Sequence, residues 1–189
     1  MEVISAFEDT DTDFAFITET WLTSQNNKTT AIIKEHDYII KHIIRNDPDR
    51  DRGGGVGIML KKDITNKTLK CKKEFTSFQH VTLQITPNQN EKLTIMCVYR
   101  LLYVPISTFY TEFAELMEIF SVSSDKLIIA GDINIHMETQ ETSARRFNEI
   151  LDMFGLKQHI QVPTHYQGHT IDVVITRNSD NNITDITKC

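Results

Sequence analysis

Residues 126–136 read KLIIAGDINIH, and the two halves of that stretch follow different rules. Leu127, Ile128, Ile129 and Ala130 form an uninterrupted apolar run. A short strand buried on both faces requires such a run, although periodicity alone does not separate it from buried helix. Gly131 punctuates the run, and Asp132, Ile133, Asn134, Ile135 and His136 then alternate polar with apolar. In extended chain, successive side chains point to opposite sides. Asp132, Asn134 and His136 are therefore expected on one side, with Ile133 and Ile135 on the other. A carboxylate, an amide and an imidazole converging at the end of a buried strand have the makings of a site. The alternative is a strand ending in a Gly-Asp turn, with Asn134 bonded to nearby backbone. This stretch alone leaves both readings open.

Working outward, two amphipathic helices are expected on either side of the central strand. Ser107 is a plausible N-cap for the first, whose Phe109, Phe113, Leu116, Met117 and Phe120 fall on one face. Thr142 or Ser143 is expected to cap the second, with Phe147, Ile150, Leu151 and Phe154 inward and Gly155 as its stop. Upstream, residues 93–99 (LTIMCVY) read as a strand ending in Tyr99 and Arg100, and residues 68–86 suggest two more, with alternation at Val81, Leu83 and Ile85. Downstream, residues 171–176 read as the last identifiable strand, with Asp172 at its start.

The N-terminal third follows the same logic. Residues 2–7 read as the end of a helix, and residues 14–17 as a short buried strand followed directly by Thr18, Glu19, Thr20 and Trp21. A carboxylate just after a buried strand is either a ligand or a residue turned to solvent. Trp21 and Leu22 favour the rim of a packed core. Residues 23–36 read as polar and irregular, 38–44 as a strand, and 46–52 as a charged loop. The glycines at 53, 54, 55 and 57 lead into Ile58, Met59 and Leu60. They match neither a Walker loop nor GxGxxG, so their expected role is conformational, permitting positive φ and close backbone approach. Strands outnumber helices, which implies an α/β layered domain with sheets covered by helices.

Composition bounds the function. The chain has 189 residues, 40% of them hydrophobic and 24% charged, as expected of one globular domain with a sizeable core. A net charge of −6 argues against wholesale coating of nucleic acid but leaves room for a local basic strip. The candidate is Lys61, Lys62, Lys67, Lys70, Lys72 and Lys73 against a lone Asp63; a solvated lysine face is the commoner meaning of such a run. Cys71, Cys97 and Cys189 lack metal-site spacing, and Cys97 is expected to pack as a small hydrophobe. There is no signal-peptide core among residues 1–20 and no apolar stretch long enough to span a bilayer. These features point to a reducing, intracellular compartment, nuclear or cytoplasmic. The Asn-x-Thr triplets at Asn27, Asn66 and Asn182 are then expected to stay unglycosylated.

Four strand ends carry polar groups: Glu19, Tyr99, Asp132 with Asn134, and Asp172. The segments TETW (18–21), CVYR (97–100), AGDINIH (130–136) and PTHYQGHTIDVVITR (163–177) together resemble the endonuclease/exonuclease/phosphatase superfamily. The spacing from GDINIH through FNEILDMFGLKQHI to PTH and GHTIDVVIT resembles in particular the apurinic-like endonuclease domain of non-LTR (LINE-type) retrotransposons. The resemblance covers nearly the whole chain and implies a four-layer α/β sandwich: two mixed β-sheets face to face, flanked by helices. It also implies Mg²⁺-dependent (or Mn²⁺-dependent) cleavage of phosphodiesters, with DNA as partner and a reverse transcriptase in the same parent polypeptide.

By that resemblance Glu19 matches the metal-binding glutamate, and Asp132 the aspartate that activates or positions the attacking water. Asn134 matches the asparagine that holds the phosphate and the active-site carboxylate. Tyr99 matches the tyrosine near the scissile phosphate, and Asp172 the aspartate that orients a catalytic histidine. Mg²⁺ prefers oxygen ligands and one or two carboxylates, and a further carboxylate can act as general base. The sequence also departs from the family. Its first-strand asparagine and its terminal Ser-Asp-His are not found in residues 1–189, so a domain truncated at both ends and impaired in activity is expected. Leu101 and Leu102 stand where relatives carry prolines. His136 is expected near the site, whereas His165 and His169 are expected in a surface loop. Three functions compete: a DNA-nicking endonuclease, an exonuclease or small-molecule phosphoesterase of the same fold, and an inactive remnant or binding module.

Overall fold

The strands with continuous apolar sequence are those squeezed between two layers. The computed structural model describes residues 7–22, 27–44, 54–88 and 91–180. Its first sheet consists of β1 (Phe14–Thr18), β2 (Tyr38–Ile43) and β3 (Val56–Lys61) in the order β1-β3-β2, antiparallel throughout. The second contains β4 (Thr65–Thr68), β5 (Phe78–Asn88), β6 (Glu91–Arg100), β7 (Lys126–Asp132), β8 (Leu156–Gln158) and β9 (Asp172–Arg177). Their order is β4-β5-β6-β7-β9-β8, and the sheet is mixed because β6 and β7 run parallel. Among the described residues, besides the helical turn at 7–9, the helices are α1 (Asn27–Glu35), α2 (Ile106–Ser121) and α3 (Thr142–Met153). Parallel neighbours need a crossover, and α2 supplies it.

Side-chain alternation sorts the apolar residues into layers. Ile95, Cys97 and Tyr99 of β6 join Val81, Leu83 and Ile85 of β5 and Val56, Ile58 and Leu60 of β3 in a core between the sheets. Met96 and Val98, pointing the other way, meet Phe109, Phe113, Leu116, Phe147 and Ile150 from α2 and α3. On the far side of the first sheet, Met59 packs with Ile33 of α1 and Tyr38. The result is the expected four-layer α/β sandwich. Every apolar position assigned to the inner face of α2 is buried. Burial pushes the Cys97 thiol up to about 12, so it is an inert packing group.

Local details differ from the sequence reading. Residues 27–35 are helical rather than irregular, and the buried Ile33 of this helix packs with Tyr38 of β2 and Met59 of β3. Neither helix flanking β7 has a side-chain cap: Pro105 precedes α2 with φ −53 and Glu141 precedes α3, leaving Ser107 and Thr142 inside the helices. Pro needs no capping partner for its own missing N–H, which suits it to helix entry. Gly155, with φ +62, ends α3 as expected. β8 has three residues, too few to carry a periodic signal. The expected helix end at 2–7 and the loop at 46–52 lie outside the described residues apart from Phe7, which is helical. No helix among the described residues is long and apolar enough to cross a membrane.

Candidate active site

The inner face of the second sheet changes character at one end. Along β5, β6, β7 and β9, Gln79 lies opposite Tyr99, Tyr99 opposite Asp132, and Asp132 opposite Asp172. Residues in register share a face, so one row crosses four strands and continues the plane of the inter-sheet core. Two residues deeper along the strands, the same face is lined by Cys97 and Ala130, both buried. Glu19 comes to this row from the opposing sheet, just past the end of β1. The Tyr99 hydroxyl donates to Glu19 Oε1 at 2.5 Å. Glu19, Tyr99, Asp132 and Asp172, separated widely in sequence, thus meet at one end of the inter-sheet layer.

Backbone strain marks the same place. Glu19 and Trp21 have φ of +50, and Asn134 also has φ +50. Non-glycine residues adopt this region uncommonly, and such outliers concentrate at functional sites. The Glu19 segment is held by the glycine loop: Thr20 N–H donates to Gly55 O, and Trp21 N–H to Gly54 O, each at 3.1 Å. Gly55 N–H in turn donates to the Gln79 side chain at 2.8 Å, linking the loop to the row. A Cβ on Gly55 would lie 2.4 Å from Thr20 Oγ1, so the expected conformational role of these glycines is met there. Leu22 is buried, while Trp21 is 58% exposed beside the site.

Beyond β7 the chain turns. Asp132 Oδ1 accepts the Asn134 N–H at 2.8 Å, and the Asn134 side-chain amide donates to Arg100 O at 3.4 Å. Asn134 is thus bonded to nearby backbone, and its N–H ties it to a carboxylate of the row. Ile133 and Ile135 are buried as alternation required, and His136 is exposed. Arg100 is the residue that sequence reasoning passed over. Its buried guanidinium donates to Ile133 O at 2.5 Å and Asn134 O at 2.9 Å, fixing the loop from beneath. Thr164 of the PTH segment does the same for β9, its hydroxyl accepting the Ile171 and Asp172 N–H groups at 3.2 Å each.

The charge balance of the row is poor. Two carboxylates directly opposite across a ladder repel. Burial pushes the Asp132 carboxyl up to about 6, and the charges of Asp172 and Glu19 add to the rise against the Asn134 N–H and Arg100. A cluster of oxygen donors with uncompensated negative charge fits a hard dication. The lysine run, by contrast, is substantially neutralised: Lys61 pairs with Asp11 and Asp13, Lys62 with Asp37, and Lys73 with Glu115.

Residues 2–182 match the model of the Endonuclease/Exonuclease/phosphatase family. No curated protein sequence matches the chain. Among solved structures, the endonuclease domain of TRAS1, a telomere-specific non-LTR retrotransposon, aligns with a TM-score of 0.66 at 13% identity, covering 93% of this chain and 78% of that one. The human Nocturnin catalytic domain aligns at 0.65 and 12% identity, covering 92% and 72%. ANGEL2, a 2′,3′-cyclic phosphatase, aligns at 0.66 and 13%, covering 94% and 72%. At these identities the likeness is one of fold.

Proposed function

The chain belongs to the Endonuclease/Exonuclease/phosphatase family, and on that premise we propose that it is a Mg²⁺-dependent phosphodiesterase of the retrotransposon type, a single domain over 1–189 that nicks DNA. The carrying observation is the row of Tyr99, Asp132 and Asp172, with Glu19 bonded to Tyr99 from the facing sheet. In this reading Glu19 holds the dication, Mg²⁺ or Mn²⁺, with the neighbouring carboxylates setting the field. The bound ion supplies charge neutralisation on the phosphate and the leaving oxygen. Asp132 takes the proton of the attacking water; a carboxylate whose proton affinity is raised towards neutrality is better matched to that task than an ordinary one. Asn134 donates to a phosphate oxygen, and Tyr99 does so once its hydroxyl turns from Glu19 to the phosphate. Asp172 positions groups along the row rather than reacting.

DNA is favoured as substrate by the sequence segments shared with retrotransposon endonucleases and by the TRAS1 fold. The parent polypeptide would then carry a reverse transcriptase. The test is Mg²⁺-dependent nicking of supercoiled plasmid, run in parallel with a 2′,3′-cyclic nucleotide as small phosphoester. It uses the 189-residue chain and a chain supplied with a family-type first-strand asparagine and Ser-Asp-His segment. Mg²⁺-dependent plasmid nicking by at least one of the two chains, lost in its Asp132→Ala variant, is the expected result. Turnover of the small ester with intact plasmid overturns DNA as substrate. Plasmid binding without cleavage by the supplied chain overturns the enzymatic reading in favour of a binding module.

A further inference from the structure

A second polar cluster lies just past the carboxylate row and is not used by the function above. The segment after β7 stays beside the loop entering β9: Ile133 N–H donates to Ile171 O at 3.1 Å, and Met137 N–H to Thr170 O at 2.9 Å. This pairing brings His136 and Glu138 against His169. Glu138 Oε1 lies 2.9 Å from His169 Nδ1 and 4.0 Å from His136 Nδ1. The two imidazole rings stack with centroids 4.0 Å apart and 19° between planes. One ligand atom from each of the three residues lies within 4.8 Å of the others.

We propose that His136, Glu138 and His169 form a binding site for a borderline divalent transition metal of the Zn²⁺ class, distinct from the Mg²⁺ site. The donor set is the first argument. Two imidazoles and one carboxylate suit Zn²⁺, whereas Mg²⁺ is held by oxygen ligands. Spacing is the second. Ligands about 2.0–2.1 Å from a tetrahedral ion lie roughly 3.3 Å apart. The Glu138–His169 separation is a few tenths of an ångström shorter than that, the Glu138–His136 separation somewhat longer, and all three ligand atoms lie within 4.8 Å of one another, so side-chain rotations reach it.

The third argument is support around the ligands. Glu138 Oε2 accepts the Thr170 N–H at 2.9 Å, leaving Oε1 directed to the histidines. The His169 carbonyl accepts the N–H groups of both Thr164 and His165 at 2.9 Å, so its backbone is fixed. Hydrogen bonds that orient ligands in this way are characteristic of metal centres. Three protein ligands leave a fourth position for water or a phosphate oxygen. The ion would also clamp the 163–170 loop to the segment after β7, four residues from Asp132.

The experiment is a Co²⁺ titration followed by visible absorption, with Zn²⁺ calorimetry, in millimolar Mg²⁺ and with thiols alkylated. One equivalent of nitrogen- and oxygen-ligated Co²⁺, displaced by Zn²⁺, is expected. His136 is exposed, so His136→Ala should keep the thermal midpoint and the Mg²⁺ response. It should weaken Co²⁺ and Zn²⁺ at least about tenfold, since even loss of an outer partner costs 10–100-fold. His169→Ala should do the same. Glu19→Gln should lose the Mg²⁺ response and keep Co²⁺ binding, which separates this inference from the proposed function. Unchanged Zn²⁺ affinity in the His136→Ala, His169→Ala double variant overturns it, as does Co²⁺ binding that Glu19→Gln abolishes.

Discussion

Asp132 and Glu138 are carboxylates six positions apart on one stretch of chain, and the fold treats them oppositely. For each, burial works to raise the pKa. Glu138 nevertheless ends at about 2, because the Thr170 N–H and His169 donate to it and His136 adds its charge. Asp132 ends at about 6, because Asp172 and Glu19 oppose the help of the Asn134 N–H and Arg100. Glu138 is surrounded as a carboxylate is when its charge is to be kept, as a cation ligand's must be. Asp132 is left under-compensated in a row of like charges. Groups whose environment disfavours their usual charge state mark chemistry more often than packing does.

The largest effect that tests the contrast is on turnover. In a protein that nicks DNA, Asp132→Ala is expected to lower the Mg²⁺-dependent rate by about 10²–10⁴, the range for a general base. Plasmid relaxation under single-turnover conditions measures it. A rate within a few-fold of wild type would remove Asp132 from the reaction and with it the meaning of its raised pKa.

Glycines sharpen the comparison next. Each region has one with positive φ: Gly131 before Asp132 at +141, and Gly168 in the histidine loop at +88. A Cβ on Gly131 would lie 1.9 Å from Val98 O, a backbone atom that cannot yield, whereas one on Gly168 meets nothing within 4 Å. Gly131→Ala is expected to cost about 2–4 kcal/mol, from strain and overpacking together. Gly168→Ala should cost only about 1 kcal/mol, the backbone strain alone. Urea unfolding of both variants decides, and equal losses would mean that β6 and β7 do not approach as closely as their register implies.

The third effect is on pH and metal. Asp132 binds its proton more tightly folded than unfolded, so without divalent ions its contribution to stability falls as pH rises from about 4 to about 6. Ionised Asp132 is thus a burden at neutral pH. Glu138 has the opposite sign: it contributes stability above the ordinary carboxylate pKa and loses it only as pH falls towards about 2. Across pH 4–6 the two therefore do not cancel. Millimolar Mg²⁺ is expected to raise the melting midpoint by a few degrees at neutral pH, by binding linkage, and to lose that effect below about 6 as protons compete. Differential scanning calorimetry on wild type and Glu19→Gln tests this, since an equal Mg²⁺ response would take Glu19 out of the metal site.

How much of this was readable in the sequence follows from which interactions are local. Leu127 to Ala130, Phe109 to Phe120 and the strand endings at Tyr99 and Asp132 all show in short-range pattern, because burial imposes its period directly on neighbours. The two helix caps misled because the structure uses Pro105 and Glu141 instead of a hydroxyl. Arg100 was quoted within CVYR, but its role depends on carbonyls more than 30 positions away, which no local pattern encodes. Gln79 is invisible for the same reason, being one amide in an alternating strand until its register with Tyr99 is known. The Glu138 cluster escaped because His169 lies 31 positions from Glu138; backbone hydrogen bonds past β7 assemble the three.

The smallest effect isolates the repulsion itself. Asp172→Asn removes one charge from the pair Asp132–Asp172 and keeps the shape of the side chain. The two N–H groups at the start of β9 go to Thr164 Oγ1, not to Asp172, so the strand end should stay in place. Like charges opposite one another on a ladder are worth roughly 0.2–1 kcal/mol. In the absence of divalent ions at neutral pH, Asp172→Asn is therefore expected to stabilise the protein by about that amount. The Asp132 pKa, followed by carboxyl ¹³C chemical shift, should move down from about 6, though burial, its largest cause, remains. In Mg²⁺ the gain should shrink or reverse, because the cation then offsets the charge that Asp172 contributes. Destabilisation in both conditions would show that Asp172 is held by a favourable partner, and the row would have to be regarded as a compensated network like that of Glu138.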